Sequence, residues 1–437
     1  MITTYSLSNF KGFKKLENLE LSPLTILVGK NSCGKSSILH SLLLLKQSLE
    51  NTNQEKALTI EGKYLNYSSL REMTFGQPAI NKCEISFEFK THDSKKICLA
   101  YKSKKIEDHQ EIILSKYRLE ENKKNLDLLK ITKKNIDTSK FGKDFILHSH
   151  KIEIDREKFI PENFKLISNY ENKLITPIEL QIPFSLFYND FNIQNELKNE
   201  LKNLRFLSPI RATPNRAYLH YSDDSNELLS DGSNSAHILW TKRNKKVKLE
   251  NKELNLIDAV NQCINSLGLS QEITPERIGN LIYQLNLSEK SFNKKVSISD
   301  VGFGYSQILP VILIGLLNNN ENLILVEQPE IHLHPSSAAN LADLFLSFIE
   351  DKKRFLIETH SQEFINRLRL RVIENPELKS KINIVFIDQD KENGANTKQF
   401  QIDENGMFPE WPDGFIDESE KLANAILKAR IQKAQKK

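Results

Sequence analysis

The feature that most constrains the fold is a glycine-rich segment near the start of the chain. Gly29-Lys30-Asn31-Ser32-Cys33-Gly34-Lys35-Ser36 matches the pattern G-x-x-x-x-G-K-[ST]. It follows the apolar run Leu24–Val28 and precedes a predicted helix over about 35–49. A strand, a glycine-rich loop and a helix in this order predict that backbone N–H groups bind phosphate oxygens. Lys35 would then reach the β- and γ-phosphates, and the Ser36 hydroxyl would bind Mg²⁺.

The length and composition of the chain predict a multi-lobed globular protein. Its 437 residues exceed a single hydrophobic core, and 39% are hydrophobic while 27% are charged. No apolar run approaches the roughly 20 residues that span a bilayer, and the first residues do not resemble a signal peptide. We therefore expect a cytoplasmic protein without a membrane partner. The net charge of +4 permits contact with nucleic acid but does not favour it.

Hydrophobic periodicity predicts an α/β fold whose ATP-binding part is divided along the chain. Short segments with a period of two, from Glu84–Lys90 to Glu111–Tyr117, predict an antiparallel lobe. Apolar strands and helices alternate over Val296–Ile387, as a parallel core requires. A helical lobe is expected over Asn226–Leu267, and residues rich in Lys, Asn and Glu before it predict an inserted subdomain. The predicted domains are residues 1–117, the insertion 118–203, the second ATPase part 204–387 and a C-terminal segment 388–437 with a basic helix.

Polar residues follow two apolar strands in the second part of the chain. Leu323–Val326 ends in Glu327-Gln328-Pro329-Glu330, where an acidic residue of a phosphate-loop ATPase holds Mg²⁺. Phe355–Ile357 ends in Glu358-Thr359-His360-Ser361, and His360 could act as a switch beside the γ-phosphate. We therefore expect Glu327, Gln328, Glu330 and His360 to form the catalytic part of the site.

A second glycine-rich loop opens the apolar helix Ile308–Leu317. Asp300-Val301-Gly302-Phe303-Gly304-Tyr305-Ser306-Gln307 precedes this helix, and Pro310 is expected in its first turn, where proline is tolerated. A loop of this kind at a helix N-terminus predicts a second anion site. Such a site can serve the ATP of a neighbouring subunit.

These motifs together resemble the SMC/RecF/OLD-like branch of ABC-type ATPases. The opening Leu7-Ser8-Asn9-Phe10-Lys11-Gly12-Phe13 also looks like that branch. A closer match is a prokaryotic family of stand-alone ATPases. Its hallmarks stand here as Ser208-Pro209-Ile210-Arg211, Ser230-Asp231-Gly232-Ser233-Asn234, Val301–Gln307, Glu330–Pro335 and Glu410-Trp411-Pro412-Asp413-Gly414-Phe415. The resemblance covers the chain except roughly residues 90–200, and it implies an ABC-type ATPase head.

The resemblance also implies roles for individual residues. The phosphate loop and the following serine would bind ATP and Mg²⁺ through Gly29, Asn31, Gly34, Lys35, Ser36 and Ser37. Gly304, Ser306 and Gln307 would form the signature that crosses a dimer interface. Asn9 and Lys11 would lie near the base, and Ser36 and Glu327 would be the metal ligands.

Two positions depart from the usual ABC pattern. Glu327 is followed by Gln328, where these ATPases usually carry a glutamate as general base. A glutamine amide cannot accept a proton from water, so we expect slow hydrolysis, no hydrolysis, or polarisation of water by Glu330 or His360. Gly304 stands where serine is common, which would loosen the contact with the γ-phosphate.

Several other patterns allow a less specific interpretation. His332 and His334 suggest a metal site but are better explained as a shaped loop, and Asp388 and Asp390 faintly suggest a Toprim nuclease but also fit a surface turn. The lysine-rich insertion and the basic tail (Glu418–Lys437) fit solvated surfaces or nucleic-acid and partner contacts. Trp411 is expected to anchor the C-terminal segment.

We expect an ATP-dependent sensor and scaffold that forms a homodimer or a higher even oligomer. Closure around ATP would hold or release a separately encoded protein effector. Relatives of this architecture occur in anti-phage systems, including Septu-like and retron-associated modules, and the resemblance implies such a role here. The alternatives are a DNA-clamping repair ATPase of RecF type and a nuclease of OLD type, the latter disfavoured. A transporter ATPase does not fit the signature.

Overall fold

The computed structural model describes residues 1–50, 57–92, 95–106, 109–121, 124–132, 151–154, 192–219, 227–278, 282–289, 292–318, 322–390, 394–408, 422 and 425–430. The helices in these ranges are α1 (Lys35–Glu50), α2 (Leu70–Met73), α3 (Asn192–Asn203), α4 (Ser235–Lys242), α5 (Leu256–Ser266), α6 (Gly304–Leu317), α7 (Pro335–Glu350) and α8 (Gln362–Glu374). None of these helices is both long enough and apolar enough to cross a membrane.

The strands follow in chain order. They are β1 (Ile2–Phe10), β2 (Phe13–Glu20), β3 (Leu24–Gly29), β4 (Glu84–Thr91), β5 (Lys96–Ile106), β6 (His109–Glu121), β7 (Lys124–Thr132), β8 (Lys151–Ile154), β9 (Arg205–Leu207), β10 (Tyr218–Leu219), β11 (Lys246–Leu249), β12 (Lys252–Asn255), β13 (Glu272–Ile278), β14 (Ile282–Glu289), β15 (Phe292–Ser297), β16 (Leu323–Glu327), β17 (Arg354–Glu358), β18 (Ile382–Asp390) and β19 (Gly394–Phe400).

One large mixed sheet organises the molecule. Its 13 strands run in the order β8-β7-β6-β5-β4-β1-β2-β19-β18-β3-β17-β16-β9. The five strands from β18 to β9 are parallel, and the others pair antiparallel. The predicted α/β fold with an antiparallel part is therefore confirmed.

The parallel strands are buried on both faces. Every residue of β16 and β17 is buried, which explains their continuous apolar sequences. Leu325 and Leu356 face the core that includes α1 and α3, whereas Ile324, Val326 and Ile357 face the core that includes α4–α8. The sheet thus separates two helical layers, and the carboxyl ends of its parallel strands meet at one edge.

The sheet is continuous across residues 117 and 118, the predicted start of the insertion. β6 continues through residues 117 and 118, and β7 and β8 extend the same sheet. Near the other limit, α3 packs on α1 with Leu197 and Leu201 buried. Most of the predicted insertion, residues 133–150 and 155–191, lies outside the described residues.

The region predicted as helical contains the hairpin β11–β12, whose turn residues Glu250 and Asn251 have φ of 53° and 61°. Pro310 lies in the second turn of α6, because this helix begins at Gly304 instead of Ile308. Of the predicted basic tail helix, residues 422 and 425–430 are helical and exposed. Trp411 lies outside the described residues.

Candidate functional site

The glycine-rich loop connects β3 to α1 as its sequence predicts. Gly29 and Gly34 have φ of 147° and 108°, which other residues rarely adopt. A Cβ atom on Gly29 would lie 2.2 Å from the carbonyl oxygen of Ile387 on the neighbouring strand. The loop therefore requires glycine for both conformation and space. It leads directly into α1, whose N-terminal N–H groups can bind an anion.

Lys35 lies inside this loop. Its side chain is buried, and Nζ donates hydrogen bonds to the carbonyl oxygens of Gly29 at 3.0 Å and Lys30 at 2.6 Å. The loop thus surrounds an ammonium group at the place where phosphates would bind. Asn31, exposed, belongs to the same loop, and the Ser37 N–H donates to the carbonyl oxygen of Gly34 at 3.0 Å.

Glu358, which was not among the predicted site residues, binds Ser36. The Ser36 hydroxyl donates a 2.7 Å hydrogen bond to Oε2 of Glu358 at the end of β17. Burial raises the pKa of Glu358, the bond from Ser36 opposes this, and the charge of Glu327 raises the pKa further. The position of Glu358 directly before Thr359-His360 was the available signal. Its meaning depends on a strand register that the sequence does not contain.

Glu327 lies beside Glu358 because β16 and β17 pair in parallel with these two residues opposite each other. Glu327 is buried, and its Oε1 is 3.4 Å from Nε2 of His40 on α1 but accepts no hydrogen bond. Two carboxylates and the hydroxyl of Ser36 therefore converge on one side of the phosphate loop.

These oxygen atoms fit a magnesium site. Mg²⁺ is usually held by one or two carboxylates together with substrate phosphates, and an orphaned buried oxygen of Glu327 offers such a ligand. Within the described ranges, no group of three or more His, Cys, Asp or Glu side chains could hold a metal by itself. A metal at Ser36, Glu327 and Glu358 would therefore depend on the nucleotide for its remaining ligands.

Glu330 joins the ends of β16 and β17. Its Oε1 accepts hydrogen bonds from the Thr359 hydroxyl and from the backbone N–H of His360, both at 2.8 Å. Between Glu327 and Glu330, Gln328 has a φ of 44° and donates its N–H to the carbonyl oxygen of Glu358 at 2.7 Å. The four residues predicted to form the catalytic part thus lie together.

His360 follows β17 with an exposed side chain. Burial of part of the ring lowers the pKa of His360, and the positive charge of Lys35 lowers it further. The neutral imidazole is therefore favoured at this position. A neutral ring nitrogen can accept a proton or a hydrogen bond from water.

The signature residues form the N-terminus of α6. The Ser306 side chain is half-buried, and its hydroxyl donates to the carbonyl oxygen of Phe303 at 2.9 Å, whereas Gln307 is buried. Phe303 packs on His332 with ring centroids 5.7 Å apart, and a Cβ atom on Gly304 would lie 3.7 Å from the His332 carbonyl oxygen. Within the described residues, no hydrogen bond joins Gly304, Ser306 or Gln307 to the phosphate loop.

Asn9, near the end of β1, and Lys11, in the turn after it, have φ of 55° and 47°. The Lys11 Nζ atom is 4.4 Å from the ring centroid of Tyr67. Burial lowers the pKa of Lys11, and Glu72 opposes this effect. Burial raises the pKa of Tyr67, as do the charges of Glu72 and Glu327.

The structure gives simpler roles to two suspected patterns. The His334 ring accepts the Ser336 N–H at 3.3 Å and caps α7, while His332 packs on Phe303. Asp388 and Asp390 lie in the hairpin of β18 and β19 with exposed side chains. These features match the shaped loop and the surface turn described above.

Two family models match most of the chain. The first, an AAA ATPase domain, matches residues 1–365, and the second, a protein of unknown function (DUF3696), matches residues 379–426. A curated protein, endonuclease GajA of Bacillus cereus (strain HuB5-5), is 23% identical over 404 residues. The match covers 82% of this chain and 54% of GajA, so the chain spans about half the length of that relative.

Solved structures of SMC heads also match. The SMC head domain from Thermotoga maritima has a TM-score of 0.41 and 12% identity, and the match covers 92% of this chain and 99% of that chain. An SmcHead bound to the C-winged helix domain of ScpA has a TM-score of 0.44 and 11% identity, with coverage of 92% and 98%. These TM-scores are too low to transfer functional residues.

Proposed function

Because the chain belongs to the AAA ATPase domain family, we propose that it binds ATP with Mg²⁺, hydrolyses it slowly and closes as a homodimer around it. The observation that carries this proposal is the convergence of Lys35, Ser36, Glu327, Glu358 and His360 at one edge of the parallel sheet. A lysine inside a glycine loop and carboxylates that can hold Mg²⁺ are parts that phosphoryl transfer uses. A neutral imidazole can accept a hydrogen bond from the attacking water.

The residues around the loop have separate tasks in this proposal. The loop N–H groups and Lys35 hold the phosphates, and Ser36, Glu327 and Glu358 would hold Mg²⁺. When bound, Mg²⁺ neutralises charge that develops on the phosphate oxygens. Lys35 already lies where its Nζ can exchange the carbonyl oxygens of Gly29 and Lys30 for phosphate oxygens.

Slow hydrolysis follows from the groups that face the attacking water. Gln328 can orient a water molecule through its amide but cannot take its proton. Glu330 already accepts two hydrogen bonds through Oε1, and they tie it to Thr359 and His360. His360 is the other candidate acceptor, and its neutral ring is a weak one because its pKa is lowered.

Dimer closure is proposed from the position of the signature. Phe303 and Gly304, at the N-terminus of α6, lie against the His332 loop of their own chain. Within the described residues, this N-terminus makes no hydrogen bond to the phosphate loop of the same chain. In a second copy, this helix N-terminus could bind the γ-phosphate of the first. Two copies related by a two-fold axis would then enclose two nucleotides.

We further propose that closure controls a separately encoded protein effector, in the manner of the anti-phage ATPases that the motifs resemble. The alternative is a DNA-clamping ATPase. The match to an endonuclease is a reason to test binding of nucleic acid. DNA binding that strengthens with ATP and weakens steeply with salt would favour this alternative. Cleavage of DNA that depends on Asp388 and Asp390 would favour a nuclease instead.

The test of the ATPase compares wild type with Lys35→Ala in phosphate release and in binding of a fluorescent ATP analogue. Lys14→Ala, at an exposed position on β2, is the matched control. The proposal expects slow release by wild type and the control, and at least a tenfold loss of both readouts in Lys35→Ala. Equal behaviour of wild type and Lys35→Ala would refute it.

A further inference from the structure

A buried arginine lies four residues after β9, outside the candidate site. Arg211 is only 5% exposed. Two backbone hydrogen bonds hold the segment around it. The Ser208 N–H donates to the carbonyl oxygen of Ser230 at 2.8 Å, and the Ala212 N–H donates to the carbonyl oxygen of Asp231 at 2.9 Å. Both acceptors belong to the glycine-containing segment 230–234. The two segments thus hold the backbone of Arg211 beside β16.

The guanidinium of Arg211 binds the end of β16. Its Nη2 atom donates to the carbonyl oxygens of Glu327 at 3.1 Å and Gln328 at 3.3 Å. The pairing between β9 and β16 ends at Leu207 and Val326, and the two carbonyl groups belong to the next two residues of the chain. Arg211 therefore replaces the strand as their partner, at the point where Gln328 leaves the strand with a positive φ.

Arg211 also interacts with Glu330. Burial lowers the pKa of Arg211 to about 10, and the charge of Glu330 opposes this effect. The guanidinium is still charged at neutral pH. Its Nε and Nη1 atoms are buried without a hydrogen-bond partner, and so is Oε2 of Glu330. Burying a cation and a carboxylate oxygen without hydrogen-bond partners lowers the stability of the fold. We therefore look for a functional reason for this pair.

The contacts of Glu330 supply that reason. The same carboxylate holds the backbone N–H of His360 and the hydroxyl of Thr359 through Oε1. A shift of Glu330 would therefore move His360 relative to Lys35. Arg211 controls both the backbone before Glu330 and the electrostatic field on its carboxylate.

We propose that Arg211 is a positioning residue for ATP hydrolysis, which holds the end of β16 and the Glu330 carboxylate so that His360 faces the γ-phosphate. This inference rests on the proposed ATPase activity. Arg211 touches neither nucleotide nor water in this account. Its contribution lies in the turnover rate and not in the affinity for ATP.

The experiment compares Arg211→Met and Arg211→Lys with wild type in phosphate release, affinity for a fluorescent ATP analogue and hydrogen exchange. Arg216→Met is the matched control, because Arg216 is an exposed arginine in the same segment that pairs with Asp300. We expect Arg211→Met to lower kcat at least tenfold and change the Kd of the analogue less than about twofold. Arg211→Lys should recover part of kcat, because it keeps the charge and one donor group.

Glu330→Gln should lower kcat similarly. The effects of Glu330→Gln and Arg211→Met on kcat should be less than additive when the two are combined.

Hydrogen exchange separates positioning from a general loss of structure. Peptides that cover residues 325–334 should exchange faster in Arg211→Met, while peptides of the phosphate loop should not change. A kcat within twofold of wild type would overturn the inference, as would a parallel loss of kcat, affinity and protection throughout the chain. If wild type releases phosphate no faster than Lys35→Ala, the ATPase proposal itself fails. If wild type is active and the Arg211 variants release phosphate at the wild-type rate, only the inference about Arg211 fails.

Discussion

At the residue scale, the candidate site depends on polar side chains that different strands bring together. Glu327 and Glu358 are opposite each other on β16 and β17, and the Ser36 hydroxyl binds the second of them. Burial raises the pKa of Glu358, the charge of Glu327 raises it further, and the nearby Lys35 opposes both effects. This arrangement favours a cation between them. Gln328, beside Glu327, adds a neutral amide where a further carboxylate would normally take a proton.

Gln328→Glu therefore tests why hydrolysis is expected to be slow. A glutamate at this position would provide the general base that the amide cannot, and such bases contribute about 10²–10⁴-fold to rates. We expect phosphate release to rise at least tenfold in single-turnover measurements. Gln328→Ala has no proton acceptor and should give no gain. A Gln328→Glu rate equal to or below that of wild type would contradict this explanation.

A buried lysine outside the site should affect stability in a pH-dependent way. Lys353 is buried with Nζ 5.3 Å from the Phe348 ring centroid, and burial lowers its pKa to about 8 from 10.5, with Asp351 opposing. Because its pKa is lower in the folded state, its contribution to stability should improve as pH rises from about 8 to about 10.5. Lys353→Met should stabilise the fold by about 2–3 kcal/mol at pH 7.

Urea unfolding at pH 7 and pH 10 measures this effect. The advantage of Lys353→Met over wild type should shrink at pH 10. The neighbouring exposed Lys352 provides the control, and Lys352→Met should change stability by less than about 0.5 kcal/mol at both pH values. An advantage that is absent at pH 7, or that grows with pH, would refute the assignment.

At the element scale, the strand–loop–helix around Lys35 and the alternation of strands and helices from α6 to β18 were predictable. Their signals are local, since apolar runs, glycines and periodicity lie within a few residues. Glu358 and Arg211 were missed because their roles depend on strand register and on contacts across more than 100 residues. The continuation of β6 across residue 117 and the packing of α3 on α1 are further features that the sequence did not predict. Buried helix positions in a polar segment such as α3 give a weak signal.

The attachment of α3 can be tested directly. Arg354 at the start of β17 is buried and pairs with Glu200 of α3 at 2.6 Å, and Glu200 also accepts the Ile2 N–H at 2.6 Å. Glu200→Ala would leave the guanidinium without its counter-charge, which we expect to cost about 3 kcal/mol in urea unfolding. Asp300→Ala removes the exposed partner of Arg216 and should cost at most about 1 kcal/mol. Equal losses in the two variants would mean that α3 is not held as described.

At the scale of the whole molecule, the parallel half of the sheet presents the phosphate loop, the two carboxylates and the signature on separate elements. The phosphate loop follows β3 and the signature opens α6, and in the described residues they share no hydrogen bond. In the proposed dimer, the phosphate loop of each chain binds one nucleotide, and the α6 N-terminus of the same chain contacts the nucleotide of the second copy. The molecule is therefore proposed to respond to ATP by changing its assembly, and an effector would be controlled through that change.

The mass of the protein in solution, measured by light scattering with and without ATP-Mg²⁺, tests this central claim most directly. We expect ATP-Mg²⁺ to shift wild type toward twice the chain mass of 50.4 kDa, because ATP joins the phosphate loop of one copy to the α6 N-terminus of another. Lys35→Ala should not shift, since it loses the nucleotide, and Ser306→Arg should bind ATP but not shift. A mass that is the same with and without ATP, in wild type as in both variants, would contradict the account.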